Sequence, residues 1–173
     1  LKRVNPILDR KRPLDKEGKR HCLQLANVLN AMKLQFDVVI SSPLKRSMQT
    51  ASLVGTETGY EARIVQSAAL APDAGFAQFQ NLLREFTDFE NVLLVGHNPN
   101  LTSFLGMLLM RAEDHLTQGL EGSSVSVRLR KGSLARLNMT RGPATLQWLL
   151  DPRIVRALYA TSTVRSLSKT SRK

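Results

Sequence analysis

The stretch Asn91–Leu109, NVLLVGHNPNLTSFLGMLL, decides the fold. Its apolar run Val92–Val95 predicts a short strand that is buried on both faces, as in a parallel sheet. His97 follows where this strand should end. Asn98 is a favoured N-cap residue and proline suits the first helical position, so the sequence predicts a helix over Pro99–Leu109. The stretch is therefore typical of a strand–helix unit in an α/β fold.

This arrangement places an imidazole at the C-terminal end of a strand, beside the unpaired N–H groups of a helix start. Ligands of open α/β sheets bind at that edge, and a helix N-terminus favours an anion. His97 is therefore a candidate site residue. The alternative is a partly buried structural histidine, because histidine belongs to the intermediate burial class.

A second junction of the same design lies upstream. The run Phe36–Ile40, FDVVI, predicts another buried strand. Ser42 then offers a polar cap, and a helix is predicted over Pro43–Thr56 with Arg46 one turn inside it. From there a guanidinium can reach back over the helix start and bind an anion through two hydrogen bonds. The alternative is an ordinary surface arginine.

Right-handed β-α-β connections bring both junctions to one edge of one parallel sheet. Arg46 and His97 should therefore lie close together. A guanidinium, an imidazole and two helix starts describe a site for a tetrahedral oxyanion, with the imidazole available for hydrogen bonding or proton transfer.

The rest of the chain completes an α/β prediction: a three-layer sandwich with a mostly parallel central sheet flanked by helices, plus an antiparallel C-terminal hairpin. A single domain is predicted over 1–160 and a basic, disordered tail over 161–173. The remaining predicted elements are a loop at Leu1–Leu14, helices at Lys16–Met32, Phe76–Phe86 and Pro152–Tyr159, and strands at Ala62–Val65, Ser124–Arg130, Ser133–Asn138 and Ala144–Leu150, with the hairpin turn at Lys131-Gly132.

Composition narrows the functional class. A chain of 173 residues with 42% hydrophobic content suits one globular domain. We expect neither a membrane span nor a signal peptide, because no apolar run has the required length or position. The lone Cys22 excludes an internal disulfide and fits a cytoplasmic location. The histidines are far apart in sequence and no Cys/His cluster occurs, so we expect no metal and no cofactor.

The net charge of +11 is concentrated near the two ends of the chain. Such a balance attracts polyanions, including nucleic acid, acidic protein surfaces and phosphorylated substrates. No aromatic residues are interleaved with the basic ones to stack on bases. Binding of nucleic acid through the basic ends therefore ranks well behind binding of a phosphorylated partner.

Three sequence blocks occur in a recognisable order and spacing: Arg12–Gly18 (RPLDKEG), Ser41–Ala51 (SSPLKRSMQTA) and Val95–Pro99 (VGHNP). Together with Lys131–Leu137 (KGSLARL), they resemble the histidine phosphatase superfamily, and most of all its small bacterial phosphohistidine phosphatases. The resemblance extends from about residue 5 to residue 159.

This resemblance implies hydrolysis of protein phosphohistidine, or of small phosphomonoesters, through a phosphohistidine enzyme intermediate. It also implies catalytic roles for two residues, since Arg46 is similar to the arginine that clamps the phosphate and His97 to the second histidine of the pocket. Ser42 and Asn98 stand where family members shape the pocket, and Arg12 is expected at its mouth. Neither a metal nor a cofactor takes part in that chemistry.

The sequence departs from the family at the nucleophile. Family members attack phosphorus with the histidine of an Arg-His-Gly motif at the end of their first strand, and this sequence contains no such motif. Its nearest match, Arg3-Val4-Asn5, has valine at the central position, and valine cannot form a phosphoenzyme. Two interpretations follow: the first strand is missing from the start of this chain, or the chain is a non-catalytic phosphate- or phosphopeptide-binding module.

The first interpretation carries a structural expectation. The missing strand should lie inside the sheet, flanked by the strands that end at Ser41 and Gly96. Its absence would leave unpaired strand edges in a covered interior, so we expect a loosely folded or aggregation-prone chain unless another segment fills the gap.

Overall fold

A computed structural model describes residues 6–110, 125–139 and 142–160. After two consecutive helices at its start, the chain alternates between strand and α-helix up to residue 109, and it ends in a hairpin and a helix. The helices are α1 (Pro6–Lys11), α2 (Lys16–Ala31), α3 (Lys45–Glu57), α4 (Phe76–Glu85), α5 (Asn100–Leu109) and α6 (152–160), and a short 3-10 helix spans Ala68–Leu70. The strands are β1 (Val38–Ser41), β2 (Val65–Gln66), β3 (Val92–Val95), β4 (Leu134–Asn138) and β5 (Thr145–Leu150).

The central sheet is parallel, with strand order β2-β1-β3. The middle strand β1 is buried along its whole length, as the apolar run predicts for a strand covered on both faces. It pairs directly with β3, from Val38 opposite Val92 to Ser41 opposite Val95. The expectation that a further strand separates these two is therefore wrong, because their backbone hydrogen bonds already join them. No gap opens between them.

Side chains of β1 alternate between two cores, as the pleat of a strand requires. Val39 packs with Leu29 of α2 and Val54 of α3 on one face. On the other face, Ile40 belongs to a cluster with Phe79 of α4. The sheet is thus covered by a pair of helices on each side, and the structure confirms the predicted three-layer α/β class.

The C-terminal strands form an antiparallel sheet of their own, in which β4 pairs with β5. The prediction that 124–130 pairs with 133–138 is wrong: residues 125–130 form no strand, and residue 124 lies outside the described ranges. That segment approaches α5 instead, where the Val125 carbonyl lies 2.8 Å from the position that a Cβ at Gly106 would take. A turn does form at Lys131-Gly132, and Gly132 adopts the positive φ of +81° that favours glycine.

Several predicted boundaries shift. The stretch predicted as a loop over Leu1–Leu14 contains α1, so that prediction is wrong for residues 6–11. Asp15 caps α2 as predicted, its carboxylate accepting the Gly18 N–H at 2.7 Å. The predicted tail at 161–173 lies outside the described residues, and the division at residue 160 stays a prediction. Within the described ranges, no helix combines the length and the apolar character needed to cross a membrane.

Replacing Leu29 with alanine should destabilise the fold strongly. Its side chain is fully buried between α2 and the sheet, so truncation leaves a cavity in a packed core. We expect a loss of about 2–5 kcal/mol in the free energy of unfolding, measured by urea denaturation. Leu23→Ala is the matched control, because Leu23 lies on the same helix and is 43% exposed; its cost should stay below about 1 kcal/mol. Equal losses in the two variants would contradict the assigned core.

Candidate functional site

The pairing of β1 with β3 brings two polar residues together at the C-terminal edge of the sheet. Ser42 follows β1, and its N–H donates to the Val95 carbonyl at 2.9 Å, which extends the ladder past the last strand residue. His97 follows β3 by two residues. Its Nε2 lies 2.9 Å from the Ser42 hydroxyl and 3.1 Å from the hydroxyl of Ser47, in the first turn of α3. The three side chains form one buried polar cluster.

The environment of His97 keeps its ring neutral near pH 7. Burial, assisted by the positive charge of Arg46, lowers the pKa of His97 to about 4, and the negative charge of Asp9 acts in the opposite direction. A neutral imidazole has one N–H donor and one acceptor nitrogen. Depending on the tautomer, Nε2 therefore donates a hydrogen bond to these hydroxyls or accepts one from them. The ring therefore contributes hydrogen bonding, while the charge of the site resides on arginine.

Arg46 lies on α3 beside this cluster and is bound by Asp9 of α1. One terminal nitrogen, Nη1, donates to the Asp9 backbone carbonyl at 2.9 Å, and Nη2 lies 3.1 Å from carboxylate oxygen Oδ2. Arg12 reaches the other oxygen of the same carboxylate, with Nε 3.2 Å from Oδ1. The two arginines predicted for the site thus meet at one carboxylate.

Both helix starts differ from their predictions. The cap of α3 is Leu44 rather than a serine, and the hydroxyl of Ser42 accepts the Leu44 N–H at 3.4 Å. The cap of α5 is Pro99, so the helix begins at Asn100 instead of Pro99. Local propensity predicts the first residue of a helix well only where the polar side chain before it has no other hydrogen-bond partner.

Asn98 illustrates why the prediction of an N-cap failed there. Its side-chain amide donates to the Leu129 carbonyl at 2.8 Å, and its oxygen accepts a hydrogen bond from the Thr102 hydroxyl at 3.1 Å. These bonds hold the segment 125–130 against the start of α5. Asn98 therefore anchors a neighbouring segment, and neither of these partners belongs to the Ser42–Ser47–His97 cluster.

Sequence reasoning missed Ser47 and Asp9 as members of the site. Ser47 follows Arg46 directly and lies five residues after Ser42, so the first helical turn could have indicated it. Asp9 carries no local signal, because its contact with Arg46 joins residues 37 positions apart in a stretch that lacks an apolar pattern.

The other described residues of interest lie elsewhere. The Nε2 of His21 pairs with the Gly132 carbonyl at 2.7 Å and links α2 to the hairpin turn. Cys22 is buried in the core, and this burial raises the pKa of its thiol. Among the residues that the structure describes, no three His, Cys, Asp or Glu side chains come together as metal ligands would.

Part of the chain matches a known family of proteins. The family model of the histidine phosphatase superfamily (branch 1) matches residues 9–71. A relative of unassigned function from Picosynechococcus is 33% identical over 96 residues, a match that covers 54% of this chain and 57% of the relative. The chain therefore spans little more than half the length of that relative.

Two solved structures share the fold. The protein histidine phosphatase SixA, complexed with tungstate, superposes with a TM-score of 0.72 at 21% identity, covering 87% of this chain and 90% of SixA. The alpha-ribazole phosphatase of Shigella flexneri gives a TM-score of 0.63 at 19% identity, covering 82% and 86%. The partial family match and the shared fold make this chain similar to members of the histidine phosphatase superfamily.

Acid should destabilise the protein through His97. The folded-state pKa of about 4 lies below the ordinary value of 6.5, so the unfolded chain binds the proton more readily between these values. The resulting stability is complete above pH 6.5 and is lost as the pH falls towards 4, by at most about 3 kcal/mol. The measurement is the free energy of unfolding against pH for the wild type and for His97→Gln.

The variant lacks this titration, whereas the carboxylates titrate in both proteins. The difference between the two pH profiles therefore isolates the imidazole. An NMR titration of the His97 ring gives an independent reading of the same pKa. Parallel stability profiles, or a ring that takes up its proton near pH 6.5, would contradict the assigned environment.

Proposed function

We propose that this chain forms the phosphate-binding part of a phosphatase, one that hydrolyses protein phosphohistidine or small phosphomonoesters. One observation carries the proposal: the buried His97 ring lies 3.1 Å from the hydroxyl of Ser47, the residue that follows Arg46 in the first turn of α3, and its pKa responds to the charge of Arg46. An oxyanion in that place would gain charge-assisted hydrogen bonds from the guanidinium and further hydrogen bonds from backbone N–H groups of the helix start.

The proposed roles follow from the chemistry of phosphoryl transfer. Negative charge spreads over the oxygens of the transferring group, and positioned donors stabilise it. Arg46 supplies the positive charge, and the neutral ring of His97 supplies a hydrogen bond. Ser42 and Ser47 orient the imidazole through their hydroxyls. Arg12, whose side chain is 63% exposed, would meet the charged part of a substrate at the mouth of the site.

Turnover through a phosphohistidine intermediate needs a nucleophilic histidine. Its ring nitrogen would form the bond to phosphorus as the bond to the leaving group breaks, and water would then release phosphate. The family motif Arg-His-Gly, which supplies this histidine, is absent from the sequence. Among the described residues the histidines are His21, which pairs with the Gly132 carbonyl, and His97. We therefore assign binding and charge stabilisation to the described residues and no nucleophilic role to any of them.

A non-catalytic phosphate- or phosphopeptide-binding module is the second candidate. The absence of the nucleophile motif favours it, because Arg46 and His97 can hold an oxyanion without attacking it. The two candidates share the binding site and differ only in turnover. The lone, buried Cys22 supports a reducing, cytoplasmic setting for either candidate.

Oxyanion binding tests what the two candidates share. We expect the wild type to bind inorganic phosphate or tungstate in isothermal titration calorimetry. Arg46→Ala and His97→Ala should each weaken binding at least about tenfold, because each removes a hydrogen-bonding partner of the anion. Arg84→Ala is the control: the side chain of this exposed arginine of α4 bonds only to Asn81 among the described contacts, and its loss should leave the affinity for the anion unchanged. Unchanged affinity in the Arg46 and His97 variants would place the site wrongly.

Intact mass and turnover separate the two candidates. The protein is purified from its own cells, weighed by mass spectrometry and assayed on a phosphohistidine protein and on p-nitrophenyl phosphate. A product heavier than 19.3 kDa whose extra peptide carries Arg-His-Gly should hydrolyse both, and should keep its activity in EDTA. A product of 19.3 kDa that binds phosphate without turnover would support the binding module. Loss of turnover in EDTA would exclude the metal-free mechanism.

A further inference from the structure

The guanidinium of Arg46 is bound at both terminal nitrogens by a single residue. Asp9 accepts from Nη1 through its backbone carbonyl and lies against Nη2 with its carboxylate, at 2.9 and 3.1 Å. The two side chains are only 20% and 28% exposed, so water screens the pair less than it would on an open surface. The carboxylate therefore neutralises much of the charge on which oxyanion binding depends.

The same carboxylate also pairs with Arg12, so that each of its oxygens faces one arginine. A phosphate or sulfate would present oxygens to these arginines in a similar way, since guanidinium groups bind carboxylates and phosphates with the same donor geometry. The Asp9 carboxylate thus binds the same guanidinium groups, those of Arg12 and Arg46, that an incoming anion would bind.

The negative charge of Asp9 also acts on His97, the second proposed anion ligand. Arg46 lowers the pKa of His97 and Asp9 raises it, so both charges act on the ring. A negative charge that is felt at His97 is also felt by an anion placed between His97 and Arg46.

We propose that Asp9 sets the affinity of this site for oxyanions and its preference among anions of different charge, by opposing the incoming negative charge at Arg46. The inference rests on the proposed function, because it takes Arg46 as an anion ligand. Coulomb energy scales with the charge of the ligand. Asp9 therefore penalises a dianion twice as much as a monoanion, whereas a residue that merely held Arg46 in place would affect both anions equally.

Asp9→Asn tests the inference, since asparagine keeps the size of the side chain and an acceptor oxygen but loses the charge. The ligands are sulfate and perrhenate, two tetrahedral oxyanions that carry two charges and one. Dissociation constants are measured by calorimetry at constant ionic strength. We expect sulfate to bind about tenfold more tightly and perrhenate about threefold more tightly than to the wild type, as the ratio of their charges requires.

Asp88→Asn is the matched control. It makes the same change in net charge at an exposed carboxylate that precedes β3, whereas His97 follows that strand. Its effect on either anion should be less than about twofold, because exposed charges that far apart are largely screened. Asp9→Ser is a second charge-free variant for use if Asp9→Asn unfolds, and it should give the same ratio of sulfate gain to perrhenate gain.

The outcomes separate this inference from the proposed function. In one outcome the wild type binds the anions, Arg46→Ala does not, and Asp9→Asn binds no more tightly than the wild type. This result would overturn the role of Asp9 and leave the phosphate site in place. Equal gains for the two anions would also overturn it, because they would reflect geometry rather than charge. Failure of both the wild type and Asp9→Asn to bind either anion would overturn the inference and the proposed function together.

Discussion

The parallel pairing of β1 with β3 is the interaction on which the site depends. Its register places the ends of the two strands side by side, so that the residues just beyond them, Ser42 and His97, lie within hydrogen-bond distance. A slip of one residue would turn Val39 towards the opposite core and move the serine about 3.3 Å along the sheet. The packing of the two cores on β1 therefore fixes the geometry of the polar cluster, although no core side chain belongs to it.

Burial at this edge gives the candidate site two different hydrogen-bond donors, a neutral imidazole and a charged guanidinium. The imidazole of His97 is enclosed, so it loses its charge and keeps its hydrogen bonds with the hydroxyls of Ser42 and Ser47. Arg46 keeps its charge because a guanidinium holds its proton under all ordinary conditions, and it needs a counter-ion when it has no ligand. Asp9 supplies that counter-ion. A neutral His97 ring and an Arg46 guanidinium paired with Asp9 do not repel each other, whereas two unpaired cations at these positions would.

The sequence predicts those features that depend on neighbours along the chain. The run Val92–Val95 is a strand as expected, and β-α-β topology brings the start of α3 to the edge of the sheet where His97 lies, so that Ser47 contacts its ring. Predictions failed where a distant partner competes for the same group. The side chain of Asn98 donates a hydrogen bond to the Leu129 carbonyl and does not cap α5. The alternating segment 125–130 forms no strand, since the strands that pair there are β4 and β5, and Asp9 enters the site across 37 positions.

The proposed oxyanion site and the choice of substrate depend on different parts of the molecule. SixA and the alpha-ribazole phosphatase share this fold, and their names refer to different phosphorylated compounds. One fold therefore accommodates phosphatases of different specificity. If Arg46 and His97 bind the phosphoryl oxygens, as we propose, they contact a group that all such substrates have in common, so they cannot select the leaving group. Under this proposal, exposed side chains around the site, such as Arg12, distinguish a protein substrate from a small ester.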